Sequence, residues 1–556
     1  MTNDGLSRRT VLRGGAVAGA AAAAAVTGGS PALAHEDYRD GALRADLVLH
    51  NGRIHTMDRR NRIASVIVIR DGRIVYVGTD RRAARGAADG SPRTIDLGGR
   101  TVVPGLIDCH NHIVLMGNRP GFHTPLENAY SVADVQKTYR ERARHAPAGA
   151  FITTIGGFHP NQFREIRLPT LAELDRAVPD HPAYLSIGFF GPSVTNTAGK
   201  RFFEAAALPV TVGADGSIAA GAEAGKATLA LRRTLTDDDR RRSTLDAMAY
   251  AASLGVTTHL DQGAFQATGT PADVSASEDN YAMHLPFLRV YDEQRGIVRL
   301  RINYLHRDTD TTVSTLDARL RNAFPFFGND MVRTGGIGEF IAEAYAGGPV
   351  FLEAARRSAK AGWRVEVHSL TGTDFQTQIQ AFETVQAEIG IDQLRWVIAH
   401  VPQISPEYLS RLQAVGGGVN LTGWQYLAGT GPQSGPPFRT IVDHGIQVGI
   451  HGDGVHIAPL NPWLHIYFAT TGVNSFGAPV NGSEQITREE ALRLFTRENS
   501  WFLRMEEKIG SIEPGKLADL AVLDRDYFTV PDAQIKQIRS VLTVVDGRIV
   551  HNALGV

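Results

Sequence analysis

His110 and His112, in Asp108-Cys109-His110-Asn111-His112, are the residues whose types and spacing most directly suggest chemistry. On a β-strand, residues i and i+2 point to one face, so both imidazoles can reach a single metal ion. Taken alone, the pair reads equally well as two unrelated strand histidines. The apolar run before it, Val102-Val103-Pro104-Gly105-Leu106-Ile107, is too short to span a membrane and closes on polar residues. That predicts a buried strand delivering ligands at its C-terminal end. Several later apolar runs also end in a histidine or an acid. They are Val256-Thr257-Thr258-His259-Leu260-Asp261, then Glu339, His368, His400, and Asp453 with its neighbour His451. A catalytic divalent metal needs histidine and carboxylate ligands and an open position for water. Five strand-end positions with ligand chemistry in one chain therefore point to metal binding.

The elements that must carry these residues follow from the pattern between them. Strand-like runs such as Arg364-Val365-Glu366-Val367-His368, Trp396-Val397-Ile398-Ala399-His400 and Gln447-Val448-Gly449-Ile450-His451 alternate with helical stretches. The helices are predicted from the 240s to Leu254, Pro349 to Ala361, Thr373 to Ile389 and Ser405 to Val415. Such alternation implies parallel βαβ units, and the length suits a TIM-like (β/α)8 barrel over residues 105–505. In a barrel all strand C-termini converge on one face, so ligands remote in sequence meet in space. Residues 190–235 have weaker periodicity and many small residues, and are expected to be an insertion near the site.

Both ends of the chain are β-rich. Ala45 to Ile54 and Ser65 to Val75 read as strand–turn–strand units around Asn51-Gly52 and Asp71-Gly72, steps that favour tight hairpins. Leu517 to Leu523 and Val541 to Val550, with Asp546-Gly547, repeat that grammar. Residues 35–104 and 506–556 are expected to form one small β-sandwich from the two termini.

Composition narrows the function classes. Of 556 residues, 43% are hydrophobic and 21% charged, and the net charge is -1. That suits a globular protein with a large core and no nucleic-acid or membrane-surface partner. Ser7-Arg8-Arg9-Thr10-Val11-Leu12, an Ala/Gly-rich stretch and Ala32-Leu33-Ala34 predict a twin-arginine export signal over residues 1–34. The mature protein is then expected outside the cytoplasm, periplasmic or extracellular, with no membrane association. Cys109 is the only cysteine, so no intrachain disulfide is available. Between two ligand-type neighbours it should face away from the imidazoles, buried and structural.

The hairpins, Pro104-Gly105-Leu106-Ile107-Asp108-Cys109-His110-Asn111-His112 and Lys508-Ile509-Gly510-Ser511-Ile512-Glu513-Pro514-Gly515-Lys516-Leu517-Ala518-Asp519-Leu520 together resemble the metal-dependent amidohydrolase superfamily. Within it they resemble the amidohydrolase-3, YtcJ-like group that includes N-substituted formamide deformylase. The resemblance implies His110 and His112 as first-strand ligands, His368 and His400 as fifth- and sixth-strand ligands, and Asp453 as eighth-strand ligand and general base. Many members hold a lysine on the fourth strand that bridges two metals. Here Gly335-Gly336-Ile337-Gly338-Glu339-Phe340 has none, and Glu339 is expected as ligand and bridge. The implied cofactor is a divalent metal, zinc first, as one or two ions. His451 is expected as a second partner or substrate contact. His259 with Asp261 is expected to line the site, and Trp424, Tyr426, Phe189 and Phe190 to form an apolar wall. The matching stretch Gly191-Pro192-Ser193-Val194-Thr195-Asn196-Thr197 lacks the group's histidine and tryptophan, so specificity does not transfer.

The expected activity is hydrolysis of a non-peptide carbon–nitrogen bond in a small molecule. Ester or lactone hydrolysis, or a hydratase or isomerase step, uses the same machinery; a non-catalytic metal-binding protein is the remaining alternative. A homodimer is the default expectation for a globular enzyme of this size.

Overall fold

A computed structural model of the chain describes residues 47–87, 91–188, 191–263, 283–343, 347–429, 434–455 and 457–556. The expected export signal lies outside the described residues, as do Phe189 and Phe190. No helix among the described residues is long and apolar enough to cross a membrane.

Eight parallel strands position the candidate ligands. They are β1 (Leu106–Asn111), β2 (Val256–Asp261), β3 (Arg299–Tyr304), β4 (Val332–Ile337), β5 (Glu366–Ser369), β6 (Val397–His400), β7 (Gly418–Thr422) and β8 (Gln447–His451). β1 to β4 pair in chain order as one four-stranded sheet and β5 to β8 as another. A single parallel bridge from Ile337 to Val365 joins β4 to β5. On the far side β8 meets β1 just past the strand end, where Asp453 N–H donates to His110 O at 3.0 Å and His112 N–H to Gly454 O at 2.6 Å. No continuous ladder closes the ring among the described residues. The arrangement matches a TIM-like barrel with an additional domain at that level of detail. β1, β2, β6 and β7 are buried at every residue, as expected of parallel strands covered on both faces.

The helices between strands lie where periodicity places them: Asp237–Ser253, Pro349–Lys360, Gly372–Glu388 and Pro406–Ala414. Their starts are set locally. Thr236 and Thr371 each accept a hydrogen bond from the backbone of an aspartate three residues on, which answers back as a capping box. Proline opens two of the others, where its missing N–H costs nothing.

The termini share one eight-stranded sheet. Its seam is Thr101–Pro104 antiparallel to Leu520–Leu523, with Ala521 opposite Val103. Within it Leu47–His55 changes neighbours along its length. Leu47 to His50 pair with Arg93–Asp96, and Arg53 and Ile54 with Thr101 and Val102. The change falls at Asn51-Gly52, which is a bulge rather than the expected hairpin turn. Asn51 has φ of 57°, and a Cβ on Gly52 would stand 2.8 Å from Leu97 Cδ1, so the close approach selects glycine. Asp71-Gly72 and Asp546-Gly547, with positive φ at both residues, do make two-residue hairpins.

The insertion also differs from expectation. A five-stranded sheet runs from Phe122–His123 through Ile152–Ile155, Ala183–Ser186 and Ser193–Thr195 to Ser217–Ile218. Residues 190–235 are only its second half. The earlier strands are two to four residues long and separated by helices, so they read as ordinary barrel alternation.

Candidate metal centre

His110 is the last residue but one of β1, and His112 follows at the next same-face position. The two Nε2 atoms lie 3.4 and 3.2 Å from Asp453 Oδ1. Glu339, two residues past β4, sits between four imidazoles. Its Oε1 is 3.3 Å from His112 Nε2, and its Oε2 is 3.5 Å from His110 Nε2, 3.0 Å from His368 Nδ1 and 3.1 Å from His400 Nε2. The ligand atoms fall into two triads, His110/His112/Asp453 and Glu339/His368/His400, each with all atoms within 4.8 Å of one another. Two atoms bound at 2.0–2.2 Å to a common ion at a tetrahedral angle stand roughly 3.3–3.6 Å apart. Three of the six observed spacings, 3.3–3.5 Å, fall in that range, and the other three, 3.0–3.2 Å, lie just below it. The residues therefore fit a divalent metal centre. Nitrogen and oxygen donors without thiolate suit zinc and its first-row neighbours.

The partners behind the ligands fix which nitrogen faces the site. His110 Nδ1–H donates to Glu366 Oε1 at 2.5 Å and His112 Nδ1–H to Gly263 O at 2.6 Å, which leaves Nε2 to ligate in each. Glu366 also accepts from Gln262 Nε2 at 2.9 Å, Asn420 Nδ2 at 2.6 Å and the Arg364 guanidinium. Burial alone would raise its carboxyl; Arg364 and His110 outweigh that and bring it to about 2. Sequence reasoning missed Glu366. The signal was present, since Arg364, Glu366 and His368 alternate with Val365 and Val367 and so share one strand face.

Electrostatically the cluster attracts positive charge. Burial would lower both first-strand histidines, but the Asp453 and Glu339 carboxylates raise His110 well above its ordinary value and His112 to about 10. Burial would likewise raise Glu339 and Asp453, yet His368 and His400 respectively, with hydrogen bonds from His110 and His112, hold both well below the carboxylate range. The two carboxylates thus favour the protonated forms of His110 and His112, and a metal must displace those protons.

Trp424 lies against His400, ring centroids 4.5 Å apart, and its Nε1–H donates to Asp453 Oδ2. It reaches the site, but through the aspartate. Phe340 stacks on His368 at 5.4 Å. His368 keeps 15% exposure while the other ligands are at 3% or below, so it is the ligand most open to solvent.

The remaining candidates divide. His451 is buried under the cluster, its ring 4.4 Å from His110 and 5.2 Å from His400. His259 is not brought to the ligands. Its Nδ1 accepts from Asn111 Nδ2 at 2.7 Å, on the face of β1 opposite the metal pair, and burial lowers it to about 3. Asp261 accepts from the backbone N–H of Val114 and Gly263 and from His284, so it shapes the loops after β1 and β2. Tyr426 is core, its hydroxyl 3.5 Å from that of Tyr130. Cys109 is buried beside Ile107, Leu260 and Val397, away from the imidazoles.

The sequence pattern of the amidohydrolase family matches residues 93–551. N-substituted formamide deformylase of Arthrobacter pascens is 26% identical over 561 residues, covering 92% of this chain and 99% of that protein. Among solved structures, an uncharacterised metal-dependent hydrolase from Pyrococcus horikoshii OT3 superposes with a TM-score of 0.59 at 17% identity, over 88% of this chain and 99% of that one. A mutant atrazine chlorohydrolase from Arthrobacter aurescens TC1, complexed with zinc and atraton, gives 0.54 at 17%, over 91% and 95%. With a family match across most of its length, the chain belongs to the amidohydrolase family, hydrolases that act on carbon–nitrogen bonds.

Proposed function

We propose that the chain hydrolyses a non-peptide amide-type carbon–nitrogen bond, in an amide, formamide or cyclic amide, with two zinc-class ions bridged by Glu339. The observation that carries this is Glu339 itself, one carboxylate shared among four imidazoles: it belongs to the triad with His368 and His400 and faces His110 and His112 of the other. Zinc is supported by the donor set and by its presence in the atrazine chlorohydrolase complex. The formamide deformylase relative supports an amide-type substrate. The same reading takes residues 105–505 as a closed (β/α)8 barrel, with 35–104 and 506–556 as its accessory β-domain and export directed by residues 1–34.

A divalent ion held there supplies Lewis acidity and a nucleophilic water at neutral pH. The residues do the rest. Asp453 is the general base: Oδ1 faces His110 and His112, and Oδ2 is the atom that takes the proton of the attacking water. Trp424 Nε1–H fixes that oxygen's direction. Asp453 then returns the proton to the leaving nitrogen. Phe340 and Trp424 flank the entry at His368 and exclude water around the scissile group.

Asp453→Asn, with metal content measured alongside, tests the assignment on a panel of amides, formamides and esters. A loss of about 10²–10⁴ in kcat on amide substrates is expected. Equal turnover by both proteins at equal metal content, or turnover confined to esters, rejects it.

A further inference from the structure

His451 closes β8, is fully buried, and neither of its ring nitrogens has a hydrogen-bond partner. Buried polar atoms are nearly always satisfied, by protein, by water or by an ion. The rings of His110 and His400 are its neighbours, and one nitrogen of each of the three lies within 4.8 Å of the others. No carboxylate belongs to this group, which sets it apart from both triads of the bridged pair. Three imidazoles are the protein donor set of one known class of zinc site.

His110 makes this position exclusive with the pair. Its Nδ1 is committed to Glu366, so only Nε2 can ligate, and Nε2 also faces Asp453 and Glu339. An ion bound to His110 beside His451 therefore takes the ligand that the His110/His112/Asp453 triad needs.

We propose that His110, His400 and His451 form a deeper cation position that holds a single imidazole-preferring divalent ion in place of the bridged pair. This rests on reading His110 as a ligand of that pair. The deep state holds one ion and the pair two, so mass action favours the deep state at low metal and the pair as free metal rises.

Titration of the full, metal-free chain with Co²⁺, followed by its visible d–d absorption, reads the ligand set without turnover. The wild type is expected to show one spectrum up to the first equivalent and a different one by the second. His451→Phe, which fills the space and offers no nitrogen, is expected to lose the first spectrum and show the second from the start. His451→Asn repeats the comparison should the phenylalanine variant fail to fold, with thermal melting of each metal-free protein as the check. A single unchanging spectrum through the wild-type titration overturns the proposal, and that measurement needs no variant. So do wild-type and His451 variant spectra that superimpose below one equivalent. The hydrolase reading fails separately, by absence of turnover in a protein carrying two ions.

Discussion

Two buried clusters of charge occupy opposite ends of the eight strands, and they are built on opposite principles. At the N-terminal end Arg299, the first residue of β3, donates Nε–H to Asp519 Oδ2 at 2.6 Å and Nη2–H to Asp519 Oδ1 at 2.8 Å and Asp546 Oδ1 at 3.3 Å. A bidentate cation–carboxylate pair is thus completed within the protein, tying the barrel strand to the terminal sheet. At the C-terminal end two carboxylates and four imidazoles converge, and among the described residues no lysine or arginine nitrogen completes them. Burying charge is costly unless it is answered. Where the chain supplies the answer, the cluster is structural. Where it supplies only ligands, the answer comes from outside.

That contrast breaks if the two ends respond alike to mutation. Arg299→Met leaves two carboxylates facing each other in the interior, and about 3–5 kcal/mol of stability should be lost with metal content per folded molecule unchanged. Glu339→Gln should do the reverse, keeping the fold while metal affinity falls more than about a hundredfold, beyond the range for groups behind the ligands. Melting curves and metal analysis of both proteins decide it. Loss of metal in the Arg299 variant at full folding would erase the distinction.

Glu366→Gln sharpens it at the functional end. The amide cannot hold His110 as a carboxylate does, and metal affinity should drop about 10–100-fold, read by competition with a chelator. An unchanged affinity would reduce Glu366 to a partner for Arg364.

A smaller effect is set by pH. His112 is raised to about 10, and His110 also lies above its ordinary value, so both hold protons at neutral pH. A raised value favours the protonated form below it, so the ion competes with protons and apparent affinity rises with pH towards about 10. Each displaced proton is worth on the order of tenfold per pH unit. Calorimetry in two buffers of different ionisation enthalpy should register proton release at neutral pH; none would mean that the cluster does not store positive charge.

Cys109→Ala gives the smallest change. It lies between Asp108 and His110 yet faces the apolar side, so about 1 kcal/mol of stability and no metal should be lost. A fall in metal content would place the thiol in the site.

Much of the site was legible because its ligands sit where short-range rules apply. His110 and His112 share a face by strand alternation, and His368, His400 and Asp453 end apolar runs in a βα rhythm. Glu339 was legible through its place in Gly335-Gly336-Ile337-Gly338-Glu339. Glu366 was hidden because its partner is His110, across the barrel and 256 positions away. Trp424 read as a wall, since an indole N–H shows its acceptor only once β7 and β8 are side by side. His259 stands near a strand end as the ligands do, and only the assembled sheet shows Asn111 at its ring. The Asn51-Gly52 bulge was likewise hidden. The dipeptide permits a turn, and the chosen partners of Leu47–His55 made it a bend instead.

By itself the amino-acid order determined which residues can ligate, on which strand faces they stand and how the strands alternate with helices, because alternation, capping and hairpin chemistry act within a few residues. Only the tertiary structure decided that Glu339 lies among four imidazoles, that Glu366 stands behind His110 and that His451 lies beside His110 and His400 with neither ring nitrogen hydrogen-bonded. Those are distances between strands that meet when the sheets assemble, and no local spacing encodes them.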